Sequence, residues 1–218
     1  MEQEPMGESP PPASPPPAAS PPPAGAAPVG WAAPPPESVP GVPGFVYADV
    51  PNRIIALIID GIILGVINII ITVAVAAVLG PQFDVKFGQN FEVSTSTNFV
   101  SAGVTLIASL VVSAVYWIYS WTRLRGSPGQ KVLGMQVGNF PDGKTLTQDQ
   151  AIRRWVALGG PLPIVQSLNQ LPVLGTLIGL ASIVYFVYLL YSTAKSPTKQ
   201  GFHDKFANSV VVKAARVA

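Results

Sequence analysis

The sequence contains no cysteine and a single histidine, His203. Without thiols there is no disulfide, no thiolate metal site and no cysteine nucleophile. One imidazole excludes a histidine-rich metal centre and a His-Glu-x-x-His protease. Charge is scarce as well, at 11% of residues, under half of the roughly 25% usual in soluble domains. The formal net charge of +2, with no basic run interleaved with aromatics, argues against nucleic acid as a partner. No nucleophile–base pair stands out, so the expectation is a chain that is not an enzyme and carries no cofactor or metal.

What is present in excess is proline and apolar residues, and they are segregated. Of the 24 prolines, 16 precede residue 50, whereas the apolar 49% of the chain is concentrated after it. Residues 1–45, with PPPASPPPAASPPPAGAAPVGWAAPPP at their centre, bury almost nothing and resist helix and sheet. They read as a disordered, partly polyproline II tail. Its PxxP spacings either serve an aromatic-groove partner or follow from composition in a plain tether. With neither a basic start nor an apolar stretch, it does not read as a signal peptide.

The remainder, residues 46–213, reads as an all-α integral membrane protein: a polytopic bundle of three to four membrane helices with a small cytoplasmic β-hairpin. Residues 54–79 (IIALIIDGIILGVINIIITVAVAAVL) carry one formal charge, Asp60, in a run long enough to span. Inserting the aspartate costs about 2.5–3.5 kcal/mol, and each Leu, Ile or Val returns about 0.3–0.6, so insertion wins. Residues 99–121 form a second candidate, ending in Tyr116, Trp117, Tyr119 and Trp121, rings suited to a headgroup boundary. Residues 172–193 form a third. Residues 155–171 are apolar but interrupted by Gly159, Gly160, Pro161 and Pro163, so they read as a broken span, a re-entrant segment or an interfacial helix.

Lysine and arginine positions constrain the topology. Arg53 alone precedes the first span and Lys86 alone lies between the first two. The loop 122–154 carries Arg123, Arg125, Lys131, Lys144, Arg153 and Arg154, and five more follow residue 193. Both rich segments belong in the cytoplasm, so the chain crosses an even number of times between 155 and 193, which makes four membrane segments with both termini inside. A cell (plasma) membrane location follows, with the lipid bilayer, a second copy or other membrane proteins as partners. In the basic loop, KVLGMQV and KTLTQ flank Asn139-Phe-Pro-Asp-Gly143 like the arms of a hairpin, and the C-terminal SVVVK is strand-like and able to pair with them.

Candidate functional residues follow from depth and spacing. Arg53 and Asp60 lie seven residues apart, on one helix face about 10.5 Å apart along the axis. Arg53 can snorkel at the boundary, whereas Asp60 needs a partner, a water-filled cavity or a proton. The two stand either as a functional pair or as a structural clamp. Asn68 adds a polar group near that face. Gly61 with Gly65, and Gly175 with Gly179, form G-x-x-x-G spacings that read mainly as helix packing, as do Ser109 and Ser113. Gly126-Ser127-Pro128-Gly129-Gln130-Lys131 lacks the spacing of a phosphate loop and reads as a tight turn into a strand. His203 and Asp204, in QGFHDKFANS, read as capping and anchoring, with ion binding and a pH switch as alternatives.

Together, NRIIALIIDGII, GSPGQKVLGMQV and FHDKFANSVVV resemble the RDD family of membrane proteins over about residues 47–213. The resemblance implies that the arginine and two aspartates of the family's name are Arg53, Asp60 and Asp204. Gln130 stands where the family pattern runs directly from Gly to Lys. The family is mostly uncharacterised, with transport, including cation/proton exchange, attached to some members. Two functions therefore stand: a transporter or transport component for cations, protons or a small ligand, and a non-transporting membrane scaffold whose tail and basic loop recruit partners.

Overall fold

The computed structural model describes residues 39, 44–88, 92–167 and 172–215. The disordered tail expected over 1–45 lies outside these residues, apart from Val39 and the start of the first strand. Among the described residues, three helices are long and apolar enough to cross a membrane. Helix α1, Val50–Leu79, starts with Pro51 in its first turn and stops at Gly80, whose φ of 83° suits a residue without Cβ. Helix α2, Phe99–Arg123, is capped by Asn98, whose side chain accepts from the Ser101 amide. Helix α6 spans Pro172–Lys195. On α1, Ile58, Ile62, Ile69, Ile70 and Val73 are more than half exposed, whereas Ala56 and Asp60 are buried. Such a surface is at ease in lipid and costly in water.

The sheet decides the topology. Strand β1 (Phe45–Tyr47) precedes α1, β4 (Met135–Asn139) follows α2, and β5 (Ser209–Ala214) follows α6. They form one antiparallel sheet in the order β1-β5-β4, with Val46 opposite Lys213 and Val137 opposite Val211. Strands β4 and β5 are held together by backbone hydrogen bonds although α6 lies between them in the chain. Between β4 and α6 lie helix α4, Gln148–Leu158, and helix α5, Leu162–Gln166, which fall on and before the expected Gly/Pro-broken stretch 155–171. Gly159 ends α4 in the left-handed conformation, φ 101°. α4 stands against both neighbours: Trp155 Nε1 donates to Ser113 Oγ at 3.2 Å and Tyr185 Oη donates to the Ala157 carbonyl. Residues 155–171 are thus not one continuous helix, and 168–171 lie outside the described residues.

The small β element is present, with one change of partner. The turn after Asn139 forms, and the Asn139 amide donates to the Lys144 carbonyl at 2.7 Å. The arm Lys144–Thr147 is not a strand, however, and β4 pairs along its length with β5, the alternative that SVVVK offered. The residues before β4 are helical: α3, Pro128–Val132, is a single capped turn where a tight turn was expected. Between α1 and α2, β2 (Phe83–Phe87) and β3 (Val93–Thr97) form an exposed hairpin that the sequence reading did not anticipate.

The core lies at the sheet end of the helices: Ala56, Trp117, Trp121, Met135, Val137, Ala151 and Val211 pack as one buried cluster. Two aromatics expected at the headgroup boundary are therefore interior, with Trp117 8% and Trp121 0% exposed, while Tyr119 remains exposed. Helical spacing explains the difference, since 117 and 121 share a face that meets α4 and the sheet. The G-x-x-x-G positions behave otherwise than expected: a Cβ at Gly61, Gly65 or Gly179 would meet nothing within 4 Å, so among the described residues no other helix approaches there.

Candidate functional site

Helix α1 presents Arg53, Ala56 and Asp60 along one stripe, and two short elements from elsewhere in the chain close over it. α3 is the first. Ser127 caps it, accepting from the Gln130 amide at 3.3 Å while Gln130 Oε1 accepts from the Ser127 amide at 2.9 Å. That leaves the Ser127 hydroxyl hydrogen free to donate to Asp60 Oδ2 at 2.5 Å. The Gly129 amide donates to Asp60 Oδ1 at 2.8 Å, and Tyr116 Oη from α2 donates to the same oxygen at 2.7 Å. Three donors thus hold the Asp60 carboxylate, which is 1% exposed. This is how an isolated intramembrane carboxylate is satisfied without a cation. The approach depends on small residues: a Cβ on Gly129 would stand 2.2 Å from the Ala56 carbonyl oxygen.

Helix α7, Phe202–Phe206, is the second element. It places Asp204, 0% exposed, between two guanidinium groups. Arg53 Nη1 reaches Oδ2 at 2.5 Å and Arg154 Nη1, from α4, reaches Oδ1 at 2.6 Å. The Gly201 amide adds a bond to Oδ2 at 3.2 Å, the capping and anchoring role expected of this segment. Arg53 Nε also donates to the Ala48 carbonyl, tying the start of α1 to the strand before it. Arg154 Nη1 donates to Ser209 Oγ at 2.6 Å, which brings in β5.

Arg53, Asp60, Asp204 and His203 therefore converge on one buried region, but the expected Arg53–Asp60 clamp is not the pairing found: the ion partner of Arg53 is Asp204, across 151 residues of chain. Asn68 stays apart and donates to the Leu64 carbonyl of its own helix. Tyr116, Ser127, Gly129 and Arg154 were missed as site residues. A signal existed for Arg154, which sits three residues after Ala151 and four before Leu158, on the apolar face of α4; Arg153 points away and pairs with Asp149 at 2.8 Å. No local signal marked Ser127 and Gly129 as donors to a carboxylate 67 and 69 residues away.

The electrostatics of the α7 end follow from burial and the two arginines. Burial opposes the ionised form of Asp204, but Arg154 and Arg53 outweigh it and hold the carboxyl below the usual range. Burial pushes the His203 imidazole down to about 4; Asp204 acts against this and Arg154 and Arg53 with it, so the ring is neutral at physiological pH. Burial likewise lowers Arg154, which Asp204 partly offsets. A partly open cavity of about 70 Å³ lies among these groups, lined by Arg53, Asp60, Trp121, Arg154 and His203 and by apolar side chains such as Leu189. Among the described residues, no group of three or more His, Asp or Glu stands in a metal-holding arrangement.

A family model described as RDD family matches residues 47–208, more than half of the 218. Neither curated proteins nor solved structures gave a match.

Proposed function

The chain belongs to the RDD family, and from that membership together with the saturation of both buried aspartates we propose that it is a membrane scaffold, in which apolar helices anchor a rigid module at one membrane face. The observation that carries this reading is the use to which the named residues are put. Asp60 is occupied by Tyr116, Ser127 and Gly129, and Asp204 by Arg53 and Arg154. A carboxylate that carries cations or protons has to exchange partners with water, and these two are engaged by donors from other elements. Their bonds lock α1 to α2, α3, α4 and α7, so the sheet module cannot shift without breaking them.

The module faces the cytoplasm in this reading and the membrane is the plasma membrane. Arg123, Arg125, Lys131, Lys144, Lys195, Lys199, Lys205 and Lys213 cluster around the sheet end, while Lys86 alone marks the opposite end. Both termini then lie inside, where the proline-rich segment and the basic surface meet partner proteins or a second copy. The chain is not an enzyme in this reading, and no cofactor enters it.

The second reading, a transport component for cations, protons or a small ligand, is favoured by the charge-lined cavity beside Asp60. Ion-driven flux in proteoliposomes separates the two. The scaffold reading expects no flux above empty vesicles for the wild type, whereas flux that Asp60→Asn abolishes establishes transport. Crosslinking with and without residues 1–45 tests recruitment, and loss of partners on deletion is the expected result.

A further inference from the structure

At the far end of α1 from the three-stranded sheet, the β2–β3 hairpin sorts its side chains by face. Alternate residues of a strand point to opposite sides, and the register sets Phe83 opposite Thr97, Val85 opposite Thr95 and Phe87 opposite Val93. One face therefore carries Phe83, Val85, Phe87 and Val93, each between 48% and 79% exposed, together with the two threonines. The other carries Asp84, Lys86, Ser94 and Ser96, with Lys86 Nζ 3.5 Å from the Asp84 carboxylate. A two-stranded hairpin alone is marginal in water and needs its apolar face covered to hold its shape. Among the described residues, nothing covers this one.

The attachment of the hairpin decides what reaches that face. Only Pro81 and Gln82 separate Gly80 from β2, and only Asn98 separates β3 from α2. Even fully extended, the chain holds Thr97 within about 7 Å of Phe99. The junction is also pinned: Asn98 Nδ2 donates to the Leu79 carbonyl at 2.7 Å, Ser101 Oγ to the Gly80 carbonyl at 2.9 Å, and the Asn98 amide to the Gln82 carbonyl at 2.9 Å. Val78, Phe99 and Val100 at these helix ends are themselves largely exposed, so the hairpin begins where a lipid-facing helix surface ends. A second copy is the weaker occupant, because two partly covered rings of about 150–250 Å² each and two valines fall short of the roughly 800 Å² per partner of a stable interface. Unpaired strand edges keep the hairpin out of the hydrocarbon itself. We propose that the β2–β3 hairpin is a membrane-surface anchor, with the face of Phe83, Val85, Phe87 and Val93 laid on the boundary between headgroups and acyl chains. Asp84 and the neighbouring Glu92 outnumber Lys86, so the attachment rests on apolar contact and needs no anionic lipid. The anchor goes beyond the scaffold reading and stands under either reading of the function.

Because the sequence has no cysteine, single cysteines carry nitroxide labels without background. With the full chain in phosphatidylcholine vesicles, power-saturation EPR compares collisions with oxygen, which concentrates in lipid, and with a water-soluble nickel chelate. Labels at Val85→Cys and Phe87→Cys should lose nickel collisions and keep those with oxygen, whereas labels at Asp84→Cys and Lys86→Cys should keep nickel, so exposure alternates along β2. Thr95→Cys, opposite Val85, and Ser96→Cys, opposite Asp84, repeat the comparison on β3 if a β2 variant fails to fold. Absence of the alternation overturns the proposal: nickel collisions at every position place the whole hairpin in water. Loss of both relaxants at Val85→Cys and Phe87→Cys overturns it as well, since protein then covers the face, a second copy where the labels also broaden one another.

Discussion

Gly129→Ala is the sharpest probe of the α1–α3 contact. An alanine Cβ at 129 would lie 2.2 Å from the Ala56 oxygen, 3.0 Å from the Ala56 carbonyl carbon and 3.0 Å from Asp60 Cγ. The obstruction is backbone, so no rotamer change relieves it, and α3 has to withdraw by about 1 Å to restore ordinary contact. That movement stretches the Gly129 N–H bond to Asp60, now 2.8 Å, beyond hydrogen-bond range, and carries Ser127 away with it. Bonds to a charged group contribute about 1.5–3 kcal/mol each, so losing two costs about 3–6 kcal/mol. For a chain of this size that corresponds to a fall in Tm of roughly 10 °C. Thermal unfolding in an uncharged detergent, followed by tryptophan fluorescence, reads it directly, because Trp117 and Trp121 lie in the adjoining core. Gly61→Ala is the control, since nothing lies within 4 Å of its Cβ and α1 gains a better helix former there. A Gly129→Ala Tm within about 2 °C of this control would refute the docking argument.

Arg154→Met leaves Asp204 with one cation in a buried site and should destabilise by about 3–5 kcal/mol, whereas Arg153→Met, next door but on the exposed face, should change stability by less than about 0.5 kcal/mol in the same assay. Stability should fall on acidification. Between pH 6.5 and about 4 the unfolded chain protonates His203 and the folded chain does not, so this contribution is complete above 6.5 and lost by about 4, amounting to roughly 3 kcal/mol. Asp204 acts in the same direction lower down, as pH falls from 3.8 through its depressed folded value. A Tm–pH profile checks both, and His203→Gln should flatten the slope in the upper window. Accessibility reporters placed after residues 140 and 200 should label from one side of the membrane and a reporter after residue 90 from the other; a split between the first two would contradict the shared sheet.

Much of the fold is written in local chemistry. Residues 54–79 read as a span because 26 positions carry one charge, and the helix found there extends that reading by one turn at the start. The pairing of SVVVK with the strand before the Asn139 turn, read as possible from its composition, is the one the sheet makes. Arg53 and Asp60 were recognisable because charge beside or within apolar helix is expensive enough to need a reason, whereas His203 stood out as the single histidine and Asp204 as its neighbour and through the family resemblance. Less legible were features set by distant neighbours. Trp117 and Trp121 looked like interfacial aromatics because residue type does not reveal what covers a helix face. Lys144–Thr147 looked like a strand because short runs carry weak periodicity, and β5 was the better partner.

The sequence by itself determined that this chain lives in lipid, where apolar runs begin and end, and that Asp60 within one of them needed a partner, since these depend on transfer energies summed over neighbouring residues. Only the tertiary structure decided the pairings: Arg53 with Asp204 rather than Asp60, and Asp60 with a serine, a glycine amide and a tyrosine. Partner choice depends on which elements pack together and how closely, and that closeness is set at points such as Gly129 over Ala56, where the absence of one carbon lets two backbones touch.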